Sequence, residues 1–223
     1  MVMLLFVLVL SIGAASYFVF EQTIDEGKLG NGIQQQQVMK EIKESLLGYA
    51  NKNISKYGGL PCPDVNGDGK SDIALGGGGC AQLRGWLPFY DLGLADVRDS
   101  AQERFWYSVD PLIVEVDGTA FKDIALSNLV LTLNNVKSVA IVIAPQKSIG
   151  KQNKRVQYDL KSYNSEKLIN QYLEKMNKNN NVTQFFDDKD GNDFNDVLIS
   201  IRLSEIDGLL QKNSVYQAYL KDL

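Results

Sequence analysis

The first twenty residues, MVMLLFVLVLSIGAASYFVF, form an apolar run without a charged side chain, and the first acid is Glu21. In helical form, twenty residues span about 30 Å, the thickness of the hydrocarbon core of a bilayer. A backbone in lipid must satisfy its own hydrogen bonds, so the run predicts a helix. A buried core helix is the alternative, but such helices usually keep a polar face. We therefore expect a transmembrane or assembly helix over residues 1–22.

Two uses of this helix remain open, a retained anchor and a cleaved secretory signal. A signal would carry a basic start, a shorter apolar stretch of about 7–15 residues and small residues at its cleavage site. No Lys or Arg precedes the run, although Gly13 to Ser16 would suit cleavage. The length of the run favours a retained anchor, and the missing basic flank leaves its orientation open.

The composition of the chain narrows the function classes. The part outside the apolar run, about 200 of the 223 residues, suffices for one sizeable domain or two small ones. The net charge of −4 argues against a nucleic-acid partner. Histidine is absent, which removes the usual general base, the usual zinc ligand and every histidine-activated nucleophile. We expect a protein that is not an enzyme.

The chain contains two cysteines, Cys62 and Cys80. An isolated pair behind an apolar N-terminal helix predicts a disulfide in an oxidising compartment. Closing a loop of this size stabilises a fold by about 3 kcal/mol in the chain-entropy treatment. Two unrelated buried thiols are the alternative, and a metal site lacks a second soft ligand nearby.

A polar linker and an amphipathic helix are predicted over residues 23–54. The linker contains three glycines that disfavour a helix, and the helical pattern begins at Ile33 and ends near Asn53. One stripe of this helix is apolar, while its charged positions are expected to face water. The stripe consists of Met39, Ile42, Leu46 and Tyr49, and the charged positions are Lys40, Glu41, Lys43 and Glu44.

Residues 55–223 are expected to form a globular head. Residues 61–95 are rich in turn-forming residues, and Asn134-Asn135 indicates a hairpin connection. Short β-branched and aliphatic runs predict strands at 112–116, 129–133, 138–144, 155–160 and 197–203. Helices are predicted at 165–176 and from Ser204, whose hydroxyl could cap the final helix with Asp207 three residues on.

The segment Asp64 to Asp72 (DVNGDGKSD) has the spacing of a calcium-binding loop. Oxygen ligands stand at positions 1, 3, 5 and 9, with Gly69 at position 6 for the sharp turn. Leu75 stands where an EF-hand has its bidentate Glu, so an affinity of about 10⁻⁴–10⁻³ M is expected. The alternative is an acidic turn whose side chains bond their own backbone. The predicted ligands are Asp64, Asn66, Asp68, Asp72 and the Lys70 carbonyl.

A second acidic segment spans residues 187–196, from Asp187 to Asp196. It lacks the regular spacing of a calcium loop, and we interpret it as a solvated loop, with ion binding left open. A glycosidase-type carboxylate pair would need a cleft and one raised pKa, which the sequence does not indicate. Five aromatic residues are interpreted as core rather than as a sugar-stacking platform. They are Trp86, Phe89, Phe105, Trp106 and Tyr107.

Several segments follow one another in a recognisable order, among them GGLPCPDVNGDG (58–69), GCAQLRGWLPFYDLGL (79–94) and FNDVLISIRLSEI (194–206). In these segments the chain resembles a family of bacterial type IV pilin-like proteins, the minor pilins and pseudopilins. The resemblance implies an α+β fold in which the N-terminal helix packs into a filament core. It also implies a head with an antiparallel β-sheet, a turn-rich disulfide loop and short helices.

The resemblance predicts a structural minor subunit of a type IV pilus or a type II secretion-type filament. If Met1 is the mature start, Leu5 stands where major pilins carry a Glu, which favours a minor or accessory subunit. The expected partners are other pilin-like subunits and the membrane. The expected location is the bacterial inner membrane, single-pass, with the head in the periplasm or outside the cell. The alternative is a membrane-anchored, calcium-dependent adhesin that binds a glycan or a surface.

Overall fold

The computed structural model describes residues 32–52, 59–76, 79–114, 125–152, 154, 165–178, 183–187 and 193–213. The chain divides into two compact units, Met1–Gln37 and Val38–Leu223. Within the first unit, residues 32–37 are described and are helical. The sheets and the hydrophobic clusters belong to the second unit.

Helix α1 covers residues 32–52, close to the predicted bounds. Its apolar stripe is buried as expected, with Met39, Ile42 and Leu46 almost fully removed from solvent. The exposed face carries an ion pair between Lys40 and Glu44, 3.6 Å apart. The spacing of apolar residues therefore predicted both the helix and the face that packs.

Seven strands lie in the described part of the chain. They are β1 (Arg84–Trp86), β2 (Trp106–Val109), β3 (Thr132–Leu133), β4 (Val136–Lys137), β5 (Ala140–Ala144), β6 (Gln184–Phe185) and β7 (Val197–Ile201). The larger sheet has the order β1-β2-β5-β7 and is antiparallel throughout. The smaller sheet has the order β4-β3-β6, with β3 and β6 parallel.

Both faces of the larger sheet are buried. Because side chains alternate along a strand, Tyr107 and Val142 join one hydrophobic cluster while Trp106 and Ile141 join the other. The first cluster includes the apolar stripe of α1 and residues of α3 (Leu203–Leu210). The second includes residues of α2 (Ser165–Tyr172) and Phe185. The sheet is therefore the middle of three layers.

The β3–β4 hairpin turns at Asn134 and Asn135, as the sequence predicts. Their φ angles are 49° and 64°, the left-handed values that a two-residue hairpin turn requires. Asn tolerates this region better than most residues, which explains its use at both positions. The turn joins two short strands, β3 and β4, and the strand predicted at 138–144 is β5, which begins at Ala140.

Three predicted elements need correction. The described part of the strand predicted at 112–116 is not a strand: Pro111–Ile113 form a short 3₁₀ helix, which the Asp110 carboxylate caps by accepting the Leu112 N–H at 3.1 Å. Helix α3 begins one residue before Ser204, and Glu205 accepts the Arg202 N–H at 3.0 Å. Lys43, expected in water, is half-buried and bonded to two elements. The strand predicted at 155–160 lies outside the described residues.

The predicted fold class is wrong in one component. The α+β class, the antiparallel main sheet and the disulfide are confirmed. The transmembrane or filament-core helix is not, because no helix among the described residues is long and apolar enough to cross a membrane. The residues assigned to it, 1–22, lie outside that part of the chain.

Candidate functional site

The predicted disulfide joins Cys62 to Cys80, whose Cα atoms are 5.2 Å apart. The chain that leads to Cys80 forms a narrow hairpin. In it, Ile73 pairs with Cys80, and the Ala74 N–H donates to the Gly79 carbonyl at 2.8 Å. Ile73 and Leu75 are exposed on this hairpin. The disulfide therefore holds the base of a loop that presents apolar side chains to solvent.

Asp64 organises the segment that was predicted to bind calcium. Its side chain is fully buried, and its two oxygens accept the Gly67 N–H at 2.6 Å and the Gly69 N–H at 2.8 Å. Gly69 has a φ of +82°, and a Cβ built there would lie 2.4 Å from the Phe89 ring. Only glycine therefore fits both the backbone conformation and the contact.

The other acidic and amide side chains of this loop also bond to nearby backbone. The Asn66 oxygen accepts the Asp68 N–H at 2.9 Å, and an Asp68 oxygen accepts the Lys70 N–H at 2.8 Å. Asp72 reaches back across the loop and accepts the Val65 N–H at 2.6 Å. The Asn66 and Asp68 bonds are Asx turns, in which side chains shape the backbone, and the Asp72 bond closes the loop.

The electrostatics of the loop are set by the burial of Asp64. Burial raises the pKa of Asp64 to about 6, although the hydrogen bonds from Gly67 and Gly69 act against the rise. The negative charges of Asp68 and Asp72 raise the pKa further. A cation in the loop would reverse this effect, since it would favour the charged carboxylate.

The fit of calcium to this loop is incomplete. The five predicted ligand positions, Asp64, Asn66, Asp68, Lys70 and Asp72, lie in one short turn, but the side-chain oxygens that point inward already accept backbone N–H groups. No group of three or more His, Cys, Asp or Glu side chains among the described residues is placed to hold a metal ion. The hydrogen bonding matches the acidic-turn alternative, and calcium binding stays a prediction.

The acidic loop is held against the segment Gly85–Asp91. Asp64 and Trp86 exchange two backbone hydrogen bonds, at 3.0 and 2.8 Å. A Cβ at Gly85 would lie 2.4 Å from the Asp64 carbonyl oxygen, so this approach requires glycine. The Ser71 N–H donates to the Asp91 carboxylate at 2.7 Å. Two of the sequence blocks that carry the family resemblance, 58–69 and 79–94, thus pack directly on each other.

Arg104 also binds the acidic loop, through the backbone of Gly67. Its guanidinium donates to the Gly67 carbonyl at 2.7 Å and lies 5.7 Å from the centre of the Phe89 ring. Asp96 is 3.4 Å from the same guanidinium. The arginine is therefore a structural clamp that joins the loop to the chain leading into β2.

An open pocket of about 310 Å³ lies beside the disulfide. Tyr49, Cys62, Ser71, Ile73 and Asp91 line it. The Asp91 carboxylate is engaged by the Ser71 N–H, and the Ser71 hydroxyl donates to the Cys62 carbonyl at 2.9 Å. The pocket therefore combines apolar surface with polar groups that already have partners.

The five aromatic residues are core, as predicted. Trp86, Trp106 and Tyr107 are fully buried, Phe105 is nearly so and Phe89 is half-buried beneath Gly69. The Tyr107 hydroxyl donates to the Pro61 carbonyl at 3.1 Å. These side chains fill the layers on both sides of the main sheet and do not form an exposed stacking platform.

A second polar cluster, buried beside the far end of the sheet, was missed by sequence reasoning. The Lys154 ammonium is almost fully buried and donates to three successive carbonyls, those of Pro145, Gln146 and Lys147. It also lies 3.7 Å from a Glu174 carboxylate oxygen. The three acceptors and the anionic neighbour offset part of the cost of burying the ammonium.

Glu174 and Asp196 bond to each other's backbone in this cluster. A Glu174 oxygen accepts the Asp196 N–H at 3.2 Å, and an Asp196 oxygen accepts the Glu174 N–H at 3.3 Å. The Asn177 amide lies 3.5 Å from the same Asp196 oxygen. The second Asp196 oxygen, Oδ1, is buried and has no donor in the described part of the chain.

Burial dominates the titration behaviour of this cluster. It raises the pKa of Asp196 to about 9, and the adjacent Glu174 carboxyl adds to the rise through its hydrogen bond and its charge. Burial lowers the pKa of Lys154, while Glu174, Asp196, Asp99 and Glu103 act in the opposite direction. Burial and the adjacent Glu174 carboxyl therefore favour the protonated form of Asp196.

The predicted solvated loop at 187–196 is correct in part. Asp193 is exposed and Asp187 half-buried, whereas Asp196 is only 3% exposed; residues 188–192 lie outside the described ranges. The alternation of Phe194, Asp196 and Leu198 leading into β7 was a signal that Asp196 points inward. For Lys154 and Glu174 the sequence offers no comparable pattern.

Comparison of the chain with protein-family models, with curated proteins and with solved structures gives no match.

Proposed function

We propose that this chain is a structural, non-enzymatic subunit of a pilus- or secretion-type filament, related in design to minor pilins and pseudopilins. Its head is located in an oxidising compartment outside the cytoplasm. Assembly with other pilin-like subunits, rather than catalysis, is its role.

One observation carries this proposal, the packing of α1 on an antiparallel sheet whose edge is joined to a disulfide loop. Ile42 and Leu46 of α1 share a hydrophobic cluster with Tyr107 of β2 and Val142 of β5. The loop that contains Cys62 is bonded to β1 through Asp64 and Trp86. A head with an antiparallel sheet, a turn-rich disulfide loop and short helices is what the sequence resemblance implies, and this agreement supports the proposal.

The polar groups of the head give independent support for a structural role. The Asp64 oxygens, the Arg104 guanidinium and the Lys154 ammonium each hold backbone groups in place. Buried polar groups that are used in this way fix a unique fold. The chain also has no histidine for proton transfer.

The test is cross-linking and co-isolation of the full chain in a bacterium that produces it. A tagged chain is cross-linked in living cells, isolated under denaturing conditions and analysed by mass spectrometry. We expect covalent adducts with pilin-like subunits, and we expect their loss when the assembly genes are deleted. Recovery of only monomeric chain, with or without those genes, would refute the proposal.

A matched pair of variants separates assembly from folding. Leu75 is fully exposed at the tip of the disulfide hairpin, and Lys178 is exposed beside β6, so neither side chain supports the core. Photo-reactive residues at these two positions leave the fold intact and report which face meets a neighbouring subunit. Adducts from either position with a pilin-like subunit support the filament role, and adducts from neither position contradict it.

A further inference from the structure

The Glu174–Asp196 pair joins two parts of the head that are far apart in sequence. Glu174 follows α2 by two residues, and Asp196 immediately precedes β7. The two reciprocal hydrogen bonds, at 3.2 and 3.3 Å, link the end of α2 to the edge strand of the larger sheet. Separation of this pair would detach one layer from the sheet at this end.

The charges of the cluster do not balance unless it holds a proton. Two buried carboxyl groups face a single buried ammonium, Lys154. Two carboxylates and one ammonium would leave a net negative charge in a region of low dielectric, which is costly. The buried Asp196 Oδ1 has no donor, and an oxygen left unpaired in this way costs more when it carries negative charge than when its carboxyl is neutral. One proton on the pair lowers both penalties.

We propose that Glu174 and Asp196 hold one proton between them and act as a pH-sensitive latch, which ties the α2 layer to the larger sheet and weakens as the pH rises. The direction follows from linkage: when the latch opens in water, Asp196 regains an ordinary pKa and releases the proton. Opening is therefore favoured by high pH. The inference does not depend on the filament role.

Other titratable groups near the pair also influence its protonation. Lys154 is the nearest, and Asp99 and Glu103 act on it from the segment before β2. The remaining partners, the Gln152 amide, the Asn177 amide and the Asn195 N–H, do not titrate. The Lys154 ammonium favours the carboxylate forms, but it is already used by three carbonyls and is itself disfavoured by burial.

The latch lies next to the tryptophan cluster of the head. Tyr172, two residues before Glu174, packs 5.8 Å from Trp106, and Trp106 packs 5.7 Å from Trp86. The Tyr172 hydroxyl donates to the Lys154 carbonyl. Opening of the latch would therefore loosen α2 without requiring the α1 face of the sheet to move.

The test is hydrogen exchange of the full chain over the range from about pH 5 to about pH 9. Rates are divided by intrinsic rates, so that they report opening equilibria. For amides of α2 and of residues 173–178, we expect the opening constant to rise by up to tenfold per pH unit, because one proton is released. Amides of β2 and β5 in the centre of the sheet should change less.

Two variants test whether the pH dependence comes from a proton on Asp196. Asp196→Asn is a neutral isostere that cannot release one, and its pH dependence in α2 should be flat. Asp193→Asn removes an exposed acid three residues away and should behave as the wild type. A flat wild-type profile, or the same slope in the Asp196→Asn variant, would overturn the proposal.

A second measurement covers the case in which Asp196→Asn fails to fold. Carbon-detected NMR follows the side-chain carboxyl signals of Glu174 and Asp196 in the unmodified chain. We expect one of the two groups to stay protonated at neutral pH. Titration of both groups below about pH 5, as in unperturbed carboxyls, would show that no proton is shared.

Discussion

The Lys43 ammonium on α1 lies 2.7 Å from the Glu205 carboxylate in the first turn of α3 and also donates to the Ser200 carbonyl of β7 at 3.0 Å. One side chain thus joins both helices on this face of the sheet to its edge strand. Burial alone would raise the pKa of Glu205, but the bonds from Lys43 and the Arg202 N–H outweigh it and lower the pKa.

Lys43→Met should reduce the free energy of unfolding by about 1 kcal/mol at neutral pH, because the half-buried pair is partly screened by water. A lowered carboxyl pKa stabilises above the unfolded value of 4.5 and is lost as the pH falls below it. The difference between variant and wild type should therefore shrink in acid. Urea unfolding at several pH values measures it.

Lys40→Met is the matched control, since Lys40 and Glu44 form an exposed pair on the same helix. Its effect should stay within about 0.5 kcal/mol at every pH. An equal loss in both variants would mean that the contact with α3 contributes nothing specific.

Gly69→Ala should be among the most damaging small substitutions in the head. The new Cβ would lie 2.4 Å from the Phe89 ring and would also force an L-residue into a φ of +82°. We expect a loss of more than about 2 kcal/mol in the free energy of unfolding. Thermal and urea unfolding of the purified chain provide the measurement.

Gly76→Ala separates the two causes. Gly76 also has a positive φ, +110°, but no atom lies within 4 Å of a Cβ built there. Backbone strain alone predicts a loss of about 1 kcal/mol. If the two variants lose the same stability, the contact between Gly69 and Phe89 is unimportant.

Removal of the disulfide should destabilise the head through its unfolded state. The double variant Cys62→Ser/Cys80→Ser should lose about 3 kcal/mol in the free energy of unfolding. This is the value expected when a disulfide between residues 18 positions apart is removed. Reduction of the wild type should give a similar loss, and it should leave the double variant unchanged. A stability that does not respond to reduction would contradict this account of the loop.

Calcium binding remains a prediction from the spacing of Asp64, Asp68 and Asp72. If the ion binds, millimolar calcium should raise the melting temperature and a chelator should reverse the rise, because the cation lowers the pKa of Asp64 and relieves the repulsion within the loop. Asp68→Ala should abolish the response. Asp193→Ala, at an exposed acid outside the loop, should retain it. Superimposable melting curves with and without calcium would exclude a site in this loop.

Periodic features of the sequence predicted α1 and the edge strand β7, whereas α2 ends at Tyr172, before the predicted end at residue 176. The stripe of Met39, Ile42 and Leu46 fixed the packed face of α1, and the alternation after residue 197 indicated β7. Both patterns extend over several residues, so each records a buried face directly.

Short elements and long-range contacts could not be read in the same way. Strand β1 has three residues, Arg84–Trp86, and exists because its backbone bonds to Asp64 and to β2, neither of which is visible locally. Lys43 was predicted to be solvated because its partner, Glu205, is distant in sequence, and Lys154 likewise has a distant partner, Glu174. Burial of a charge depends on such partners, which a local pattern does not contain.

The most direct test of the central claim is immunogold electron microscopy of filaments sheared from cells that produce the full chain. An antibody against the exposed hairpin at residues 73–76 should label the sheared filaments in the wild type. A strain that carries Cys62→Ser/Cys80→Ser should show less label, because its head is less stable. Filaments without any label, together with the chain recovered only as an unassembled protein, would contradict its role as a filament subunit.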